Sequence, residues 1–249
     1  MAQNIYDDPA FFAGYSDFPR SRLGLEGTAE GGSLLALLPP VEGKRVVELG
    51  CGFGHLSRWL GDAGAESVIG IDLSEKMLDA ARAATDDRHV SYRRADLDTL
   101  ELDTGSANLI VSSLTFHYVE DFSRLAAMLQ RALVPGGDLV FSVEHPIYAA
   151  RAVPEWAATA DGRHAFAVID YSIEGEKRSN WIVDGVVKYH RTVATMLNTL
   201  TNAGFLYRCM DEWKPDARQL AAHPEWRDTE LTRPMFLLVA VHKPATGKH

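Results

Sequence analysis

The chain has 249 residues with 25 basic and 34 acidic side chains, and its net charge of −9 leaves no basic footprint for a nucleic-acid backbone. No apolar run approaches the roughly 18 residues that suggest a membrane span, and the first residues lack the basic-then-apolar order of a secretion signal. Two cysteines, Cys51 and Cys209, argue against a disulfide scaffold and for a reducing, cytoplasmic setting.

Residues 1–40 gather Tyr6, Phe11, Phe12, Tyr15, Phe18, Arg20 and Arg22. Pro9 to Tyr15 reads as a short amphipathic helix, and Gly24 to Leu38 as a second that ends at Pro39-Pro40. Val46-Val47-Glu48-Leu49 is a buried strand running into Gly50-Cys51-Gly52-Phe53-Gly54, a turn with glycine at every second position, and a helix begins near His55. Such glycines let a ligand approach closer than a Cβ permits. The Glu48 carboxylate at the strand's end repels a phosphate and welcomes a cationic amine. A dinucleotide turn reads G-x-G-x-x-G, whereas here His55 stands in the slot of the last glycine, which disfavours a nicotinamide-dependent dehydrogenase. Cys51 lies where a helix N-terminus can activate a thiol, but no second cysteine is near and it reads as a small packing residue.

Ser67 to Asp72 is the next strand, and Ser74 caps a helix from Glu75 to Arg82. Asp72 stands at the strand tip, where a carboxylate either accepts both hydroxyls of a ribose or caps the following helix. Val90 to Asp98 is a third strand ending in an acid, Asp96, with Leu97 beside it. Ala107 to Ser113 is the fourth and leads into Phe116-His117-Tyr118. Leu133-Val134-Pro135-Gly136-Gly137 reads as a helix end and a turn that opens the fifth strand, through Val143. After the insertion Glu144 to Thr192 come a helix from Val193 to Leu200, a sixth strand beginning at Gly204-Phe205, and a buried last strand from Met235 to Val241. Strands separated by helical stretches of this length imply an α/β fold with a doubly wound, mostly parallel sheet covered on both faces.

The unbroken run Val46 to Gly54 resembles the first motif of the class I S-adenosylmethionine (SAM)-dependent methyltransferases, (V/L)-(L/V)-(D/E)-(L/V)-G-C-G-x-G, and the L-x-P-G-G stretch before the fifth strand is a further marker of that family. The resemblance implies a Rossmann-like seven-stranded sheet with an antiparallel last strand and SAM as the cofactor. It implies that Glu48, Gly50, Cys51, Gly52 and Gly54 form the cofactor turn, that Asp72 holds the ribose, and that Asp96 and Leu97 read the adenine. Leu73, Met77 and Ser112 join this cofactor set. It also implies that the N-terminal stretch lies across the cofactor, with Tyr15 and Arg22 as the residues holding the methionine part. No Asn-Pro-Pro-Tyr type motif follows the fourth strand, which together with the acidic charge points away from nucleic-acid and protein-glutamine targets.

The insertion reads as a small antiparallel cap over the strand ends. It runs from Trp156 into Phe166 to Tyr171, turns through the charged stretch Glu174 to Arg178, and reverses again at Asp184-Gly185. Its aromatic side chains either line a water-excluding pocket or form the cap's own small core. Methyl transfer from a sulfonium is an in-line displacement in which the protein supplies alignment and, for a hydroxyl or ammonium acceptor, a base. His145, His117 and His190, in that order, are the candidate bases, and Phe116, Tyr118, Tyr148, Trp181, Tyr189 and Arg191 are the candidate acceptor contacts. The expected organisation is an N-terminal helical lid over 1–40, a cofactor core over 41–143, a substrate cap over 144–192 and the remainder of the core over 193–249. The expected activity is methylation of a small molecule at O or N, without a metal. Methylation at carbon of a phenol or quinone-type ring, or SAM binding without catalysis, stays open. The oligomeric state is not legible.

Overall fold

The structure, a computed structural model, describes residues 3–150 and 156–245. A 3-10 turn at Ile5–Asp7 leads into α1 (Pro9–Ser16), whose first turn is capped by the Asp8 carboxylate accepting from the Ala10 and Phe11 amides at 2.9 Å each. α2 (Pro19–Arg22), a 3-10 turn (Gly24–Gly27) and α3 (Gly31–Leu37) follow. The single helix expected over Gly24–Leu38 is therefore two pieces. Glycines at 24, 27, 31 and 32 each cost helix stability of about 1 kcal/mol relative to Ala, and the Thr28 hydroxyl bonds back to the Gly24 carbonyl at the break.

The core alternates strand and helix: β1 (Arg45–Leu49), α4 (His55–Asp62), β2 (Ser67–Asp72), α5 (Glu75–Ala83), β3 (Val90–Arg94) and β4 (Ala107–Ser113). A 3-10 turn (Phe116–Tyr118), α6 (Phe122–Ala132) and β5 (Leu133–Glu144) complete its first part. α7 (Pro146–Ala149) then precedes two hairpins, β6 (Trp156–Ala158) with β7 (His164–Phe166) and β8 (Gly175–Trp181) with β9 (Val183–His190). The chain closes with α8 (Val193–Asn202), β10 (Leu206–Glu212), α9 (Ala217–Ala222), a 3-10 turn (Pro224–Arg227) and β11 (Phe236–His242).

Seven strands form one sheet in the order β10-β11-β5-β4-β1-β2-β3. β11 runs antiparallel to both neighbours and the other pairs are parallel. Successive residues of a strand face opposite sides. Val47, Leu49, Ile110 and Phe141 pack under α6 and α8 with Leu125, Leu129 and Leu200, whereas Val46, Val68, Leu109 and Val140 pack under α4 and α3 with Leu56, Leu60 and Leu34. Both faces are dry, so five parallel strand ends project into one crevice at the carboxyl edge. Among the described residues no helix is long and apolar enough to cross a membrane.

Three local expectations change. Pro135-Gly136-Gly137 lies inside β5 as an outward excursion between the pairs Ala107–Leu133 and Leu109–Asp138, and the Gly136 and Lys243 amides close it. The charged stretch Glu174 to Arg178 mostly belongs to a strand, β8: exposed Glu176 and Arg178 alternate with half-buried Gly175, Lys177 and Ser179, which is the period of a strand. The second hairpin reverses at Ile182, with φ 63°, and Asp184-Gly185 forms a bulge in β9 opposite Asn180.

Candidate functional site

The turn after β1 is fixed by its glycines. Gly50 has φ 72°, and a Cβ there would fall 2.0 Å from the Thr115 hydroxyl oxygen. The Gly50 and Cys51 amides both donate to the Ile71 carbonyl, at 2.7 and 3.1 Å, stitching the turn to the end of β2. The Gly52 amide donates to Asp72 Oδ2 at 2.8 Å and the Ser74 amide to Asp72 Oδ1 at 2.9 Å. Asp72 is thus clamped at the tip of β2. Burial raises its pKa, and the backbone donors oppose that rise.

Glu48 lies beneath this turn. It is 2 % exposed, its carboxylate accepts the Ser57 hydroxyl, and burial pushes its pKa up to about 8. Glu48 and Cys51 are not lining residues of the cavity above the turn, and burial raises the Cys51 thiol well above its ordinary value. Ser112 is buried too, donating to the Leu49 carbonyl at 2.8 Å, while Ser113, one residue on and facing the other way, lines the cavity.

The cavity encloses about 370 Å³ along the carboxyl edge of the sheet. One end is walled by Gly50, Gly52, Asp72, Leu73, Met77, Asp96 and Leu97, of the expected cofactor set. The N-terminal segment covers it through Tyr6, Tyr15, Phe18 and Arg20. Arg22 is exposed and lies outside the cavity, whereas Arg20, two residues earlier, lines it. The Arg20 guanidinium is 2.9 Å from the buried Glu30 carboxylate and 3.5 Å from Ser113 Oγ. Burial works against its charge, and Glu30 with Tyr15 and Tyr6 together outweighs burial. The Tyr15 ring meets Tyr6 and Trp181 edge-on at 5.1 and 5.9 Å.

The other end is lined by His117, Tyr118, Glu144, Tyr148, Trp181, Tyr189, Met235 and Phe236. Of the three expected histidines, only His117 lines the cavity. Burial depresses its pKa to about 4, Glu144 pulls it upward and Lys188 pushes it down, so the ring is neutral at pH 7. His117 Nδ1 accepts the Glu144 amide at 3.4 Å. His145, ranked first from sequence, points both ring nitrogens elsewhere. Nδ1 caps α7 by accepting the Ile147 amide at 3.1 Å, and Nε2 is 3.0 Å from Glu212 Oε1. His190 sits beyond the cavity with Nε2 bonded to the Tyr171 carbonyl at 2.8 Å. The pre-proline position that suggested a strand exit for His145 makes it a helix cap instead.

Among the expected acceptor contacts, Phe116 is core, tilted against Phe141 with ring centres 5.0 Å apart, and Arg191 is a brace that donates to the Val119 and Glu120 carbonyls. Tyr118 shares a hydrogen bond of 3.2 Å with Tyr6, and Tyr148 lies beneath the Arg233 guanidinium, 4.6 Å from its ring centre. Sequence reasoning missed Glu144 and Lys188, an ion pair of 2.6 Å whose carboxylate lines the cavity. A signal for Glu144 existed: β2 and the stretch after β3 also end in acids at this edge of the sheet. Lys188 had none, because β9 carries it across from the cap. Among the described residues no cluster of three or more His, Cys, Asp or Glu side chains is placed to hold a metal ion.

The sequence pattern of a methyltransferase-domain family matches residues 47–141. The structure of an S-adenosylmethionine dependent methyltransferase from Mesorhizobium loti is 50% identical in sequence and superimposes with a TM-score of 0.85, covering 88% of this chain and 100% of that one. An uncharacterized protein of Haemophilus influenzae is 34% identical over 252 residues, 96% of this chain and 97% of its own length. The malonyl-[acyl-carrier protein] O-methyltransferase of Enterobacter lignolyticus is 34% identical over 137 residues, so the match spans about half of each chain, 53% and 52%.

Proposed function

Because the chain belongs to the class I SAM-dependent methyltransferases, we propose that it methylates O or N of a small molecule held at the His117 end of the cavity. One observation carries this reading: a single cavity joins the Asp72–Gly52 clamp to His117 and Glu144 without an intervening wall. SAM supplies a methyl group already activated on a sulfonium for in-line displacement. On this reading Asp72 holds the ribose, Asp96 and Leu97 the adenine, and Tyr15 with Arg20 the methionine part. Aromatic faces from Tyr6, Tyr15, Phe18 and Trp181 surround the passage between the two ends and exclude water. Residues 1–40 then act as lid, 144–192 as cap and the rest as core.

His117 is the pocket histidine of this reading. With Nδ1 taking the Glu144 amide, the neutral ring carries its proton on Nε2. In that state it orients an acceptor atom by donating to it. It removes the acceptor's proton only by giving up the long bond at Nδ1 and changing tautomer. The test is calorimetric titration with SAM, S-adenosylhomocysteine and NAD, with Asp72→Ala alongside. Micromolar SAM binding that weakens at least tenfold in the variant is the expected result. NAD binding with none for SAM overturns the assignment.

A further inference from the structure

The acceptor end of the cavity is built around a bound cation that belongs to the protein itself. Lys188 Nζ lies 2.6 Å from Glu144 Oε1, 5.0 Å from the centre of the Trp181 ring and 5.9 Å from that of Tyr118. Glu144, Trp181 and Tyr118 all line the cavity, and Lys188 does not. An entering molecule therefore meets a carboxylate whose resident ammonium lies over two aromatic rings that share the cavity wall, a set of groups that suits a desolvated cation. Burial alone would raise the Glu144 carboxyl, and the Lys188 cation is the strongest of the neighbours that reverse this, so the group stays ionised. Among the described residues no donor other than Lys188 bonds that carboxylate.

A buried ion pair is a poor way to stabilise a fold compared with well-packed apolar side chains. Here it keeps one carboxylate charged at the end of an aromatic cavity. His117, neutral by burial, adds no positive charge beside it. A carboxylate-bearing acceptor in the same place would face Glu144 as a like charge at low dielectric.

We propose, on the methyltransferase reading above, that the acceptor is a small organic amine with an apolar body, recognised as a cation by Glu144 between Trp181 and Tyr118. Before transfer the ammonium gives one N–H proton to the Glu144 carboxylate, and the freed lone pair takes the methyl group while the sulfonium leaves as the thioether. Lys188 holds one oxygen of the carboxylate and the amine takes the other. Tyr148, Met235 and Phe236 receive the apolar body.

The test compares binding of 2-phenylethylamine, 2-phenylethanol and phenylacetate by calorimetry, in protein with and without saturating S-adenosylhomocysteine. The amine is expected to bind at least tenfold more tightly than the alcohol, which is about 1.4 kcal/mol, with phenylacetate weakest. Glu144→Gln abolishes the preference while S-adenosylhomocysteine affinity persists. Lys188→Met, which removes the resident cation, keeps or strengthens amine binding. Three results would each overturn the proposal: phenylacetate binding as well as the amine, a preference that survives Glu144→Gln, or no amine binding at millimolar concentration. Loss of the S-adenosylhomocysteine titration with the amine preference intact supports the amine site at Glu144 and overturns the cofactor reading, and with it the amine's role as methyl acceptor.

Discussion

Replacing His117 with Asn removes a titrating ring yet leaves an oxygen to accept the Glu144 amide. His117 falls from an ordinary 6.5 to about 4 in the folded chain because burial penalises its charged form. The unfolded chain therefore binds more protons than the folded one between these values, and stability drops as the pH falls through this window. The full difference corresponds to about 3 kcal/mol, of which about 2 kcal/mol is lost between pH 7.5 and pH 5. The side chain is almost wholly enclosed, so solvent screening does not reduce this figure. The assay is urea denaturation of wild type and His117→Asn at several pH values. Subtracting the two curves isolates this site from other groups that titrate in the range, and the wild type should lose about 2 kcal/mol more than the variant by pH 5. Parallel curves from pH 7.5 to pH 5 would show that the ring titrates in the folded protein as it does in the unfolded chain, and the account of this end of the cavity would fail with it.

Glu48 provides a control of opposite sign. Its pKa rises from 4.5 to about 8, so its contribution is present below pH 4.5 and is lost as the pH climbs through 8. Glu48→Gln should gain about 4 kcal/mol relative to wild type between those pH values, again by urea denaturation. Arg20→Gln should weaken SAM binding by roughly tenfold or more, since the charged hydrogen bonds it makes are worth about 1.5–3 kcal/mol, whereas Arg22→Gln, outside the cavity, should leave the calorimetric titration unchanged. Gly50→Ala combines a left-handed backbone with a contact of 2.0 Å to Thr115 Oγ1, and a loss of at least about 2 kcal/mol in denaturation midpoint analysis is expected. Arg233→Leu strands the buried Glu230 carboxylate and removes a cation from over Tyr148, Phe166 and Trp156, so about 3 kcal/mol of stability should be lost and proteolysis near the β6–β7 hairpin should accelerate.

The glycine turn and the Asp72 clamp were legible in the sequence because they are written in backbone requirements. Alternating glycines, a strand-end acid and a serine cap leave few conformations, and these residues lie within a few positions of one another. Parity was harder: one residue separates Ser112, which braces Leu49, from Ser113, which faces the cavity, and nothing in the composition of β4 distinguishes them. On a helix two positions turn the chain by about 200°, and this divides Arg20 from Arg22. The acceptor end was illegible for a different reason. His145 looks like a base until α7 is seen to begin at Pro146, and Lys188 reaches Glu144 only because the β8–β9 hairpin brings it to the end of β5. Such contacts depend on tertiary placement of the cap, on which neither periodicity nor turn chemistry bears.

The covering of the cavity has a consequence for traffic through it. Gln3 presents its side-chain amide to β9 as a peptide unit would, donating to the Gly185 carbonyl at 3.0 Å and accepting the Val187 amide at 2.9 Å. At the far side of the same segment, Asp7 accepts the Ser74 hydroxyl at 2.6 Å and the Lys76 amide at 3.2 Å. One short stretch is thus sewn at one edge to β9 of the cap and at the other to the loop that follows Asp72. Unfastening it exposes both compartments together. On the proposed reading, spent cofactor and methylated product would leave by the same opening once these ties and the Tyr6–Tyr118 bond part.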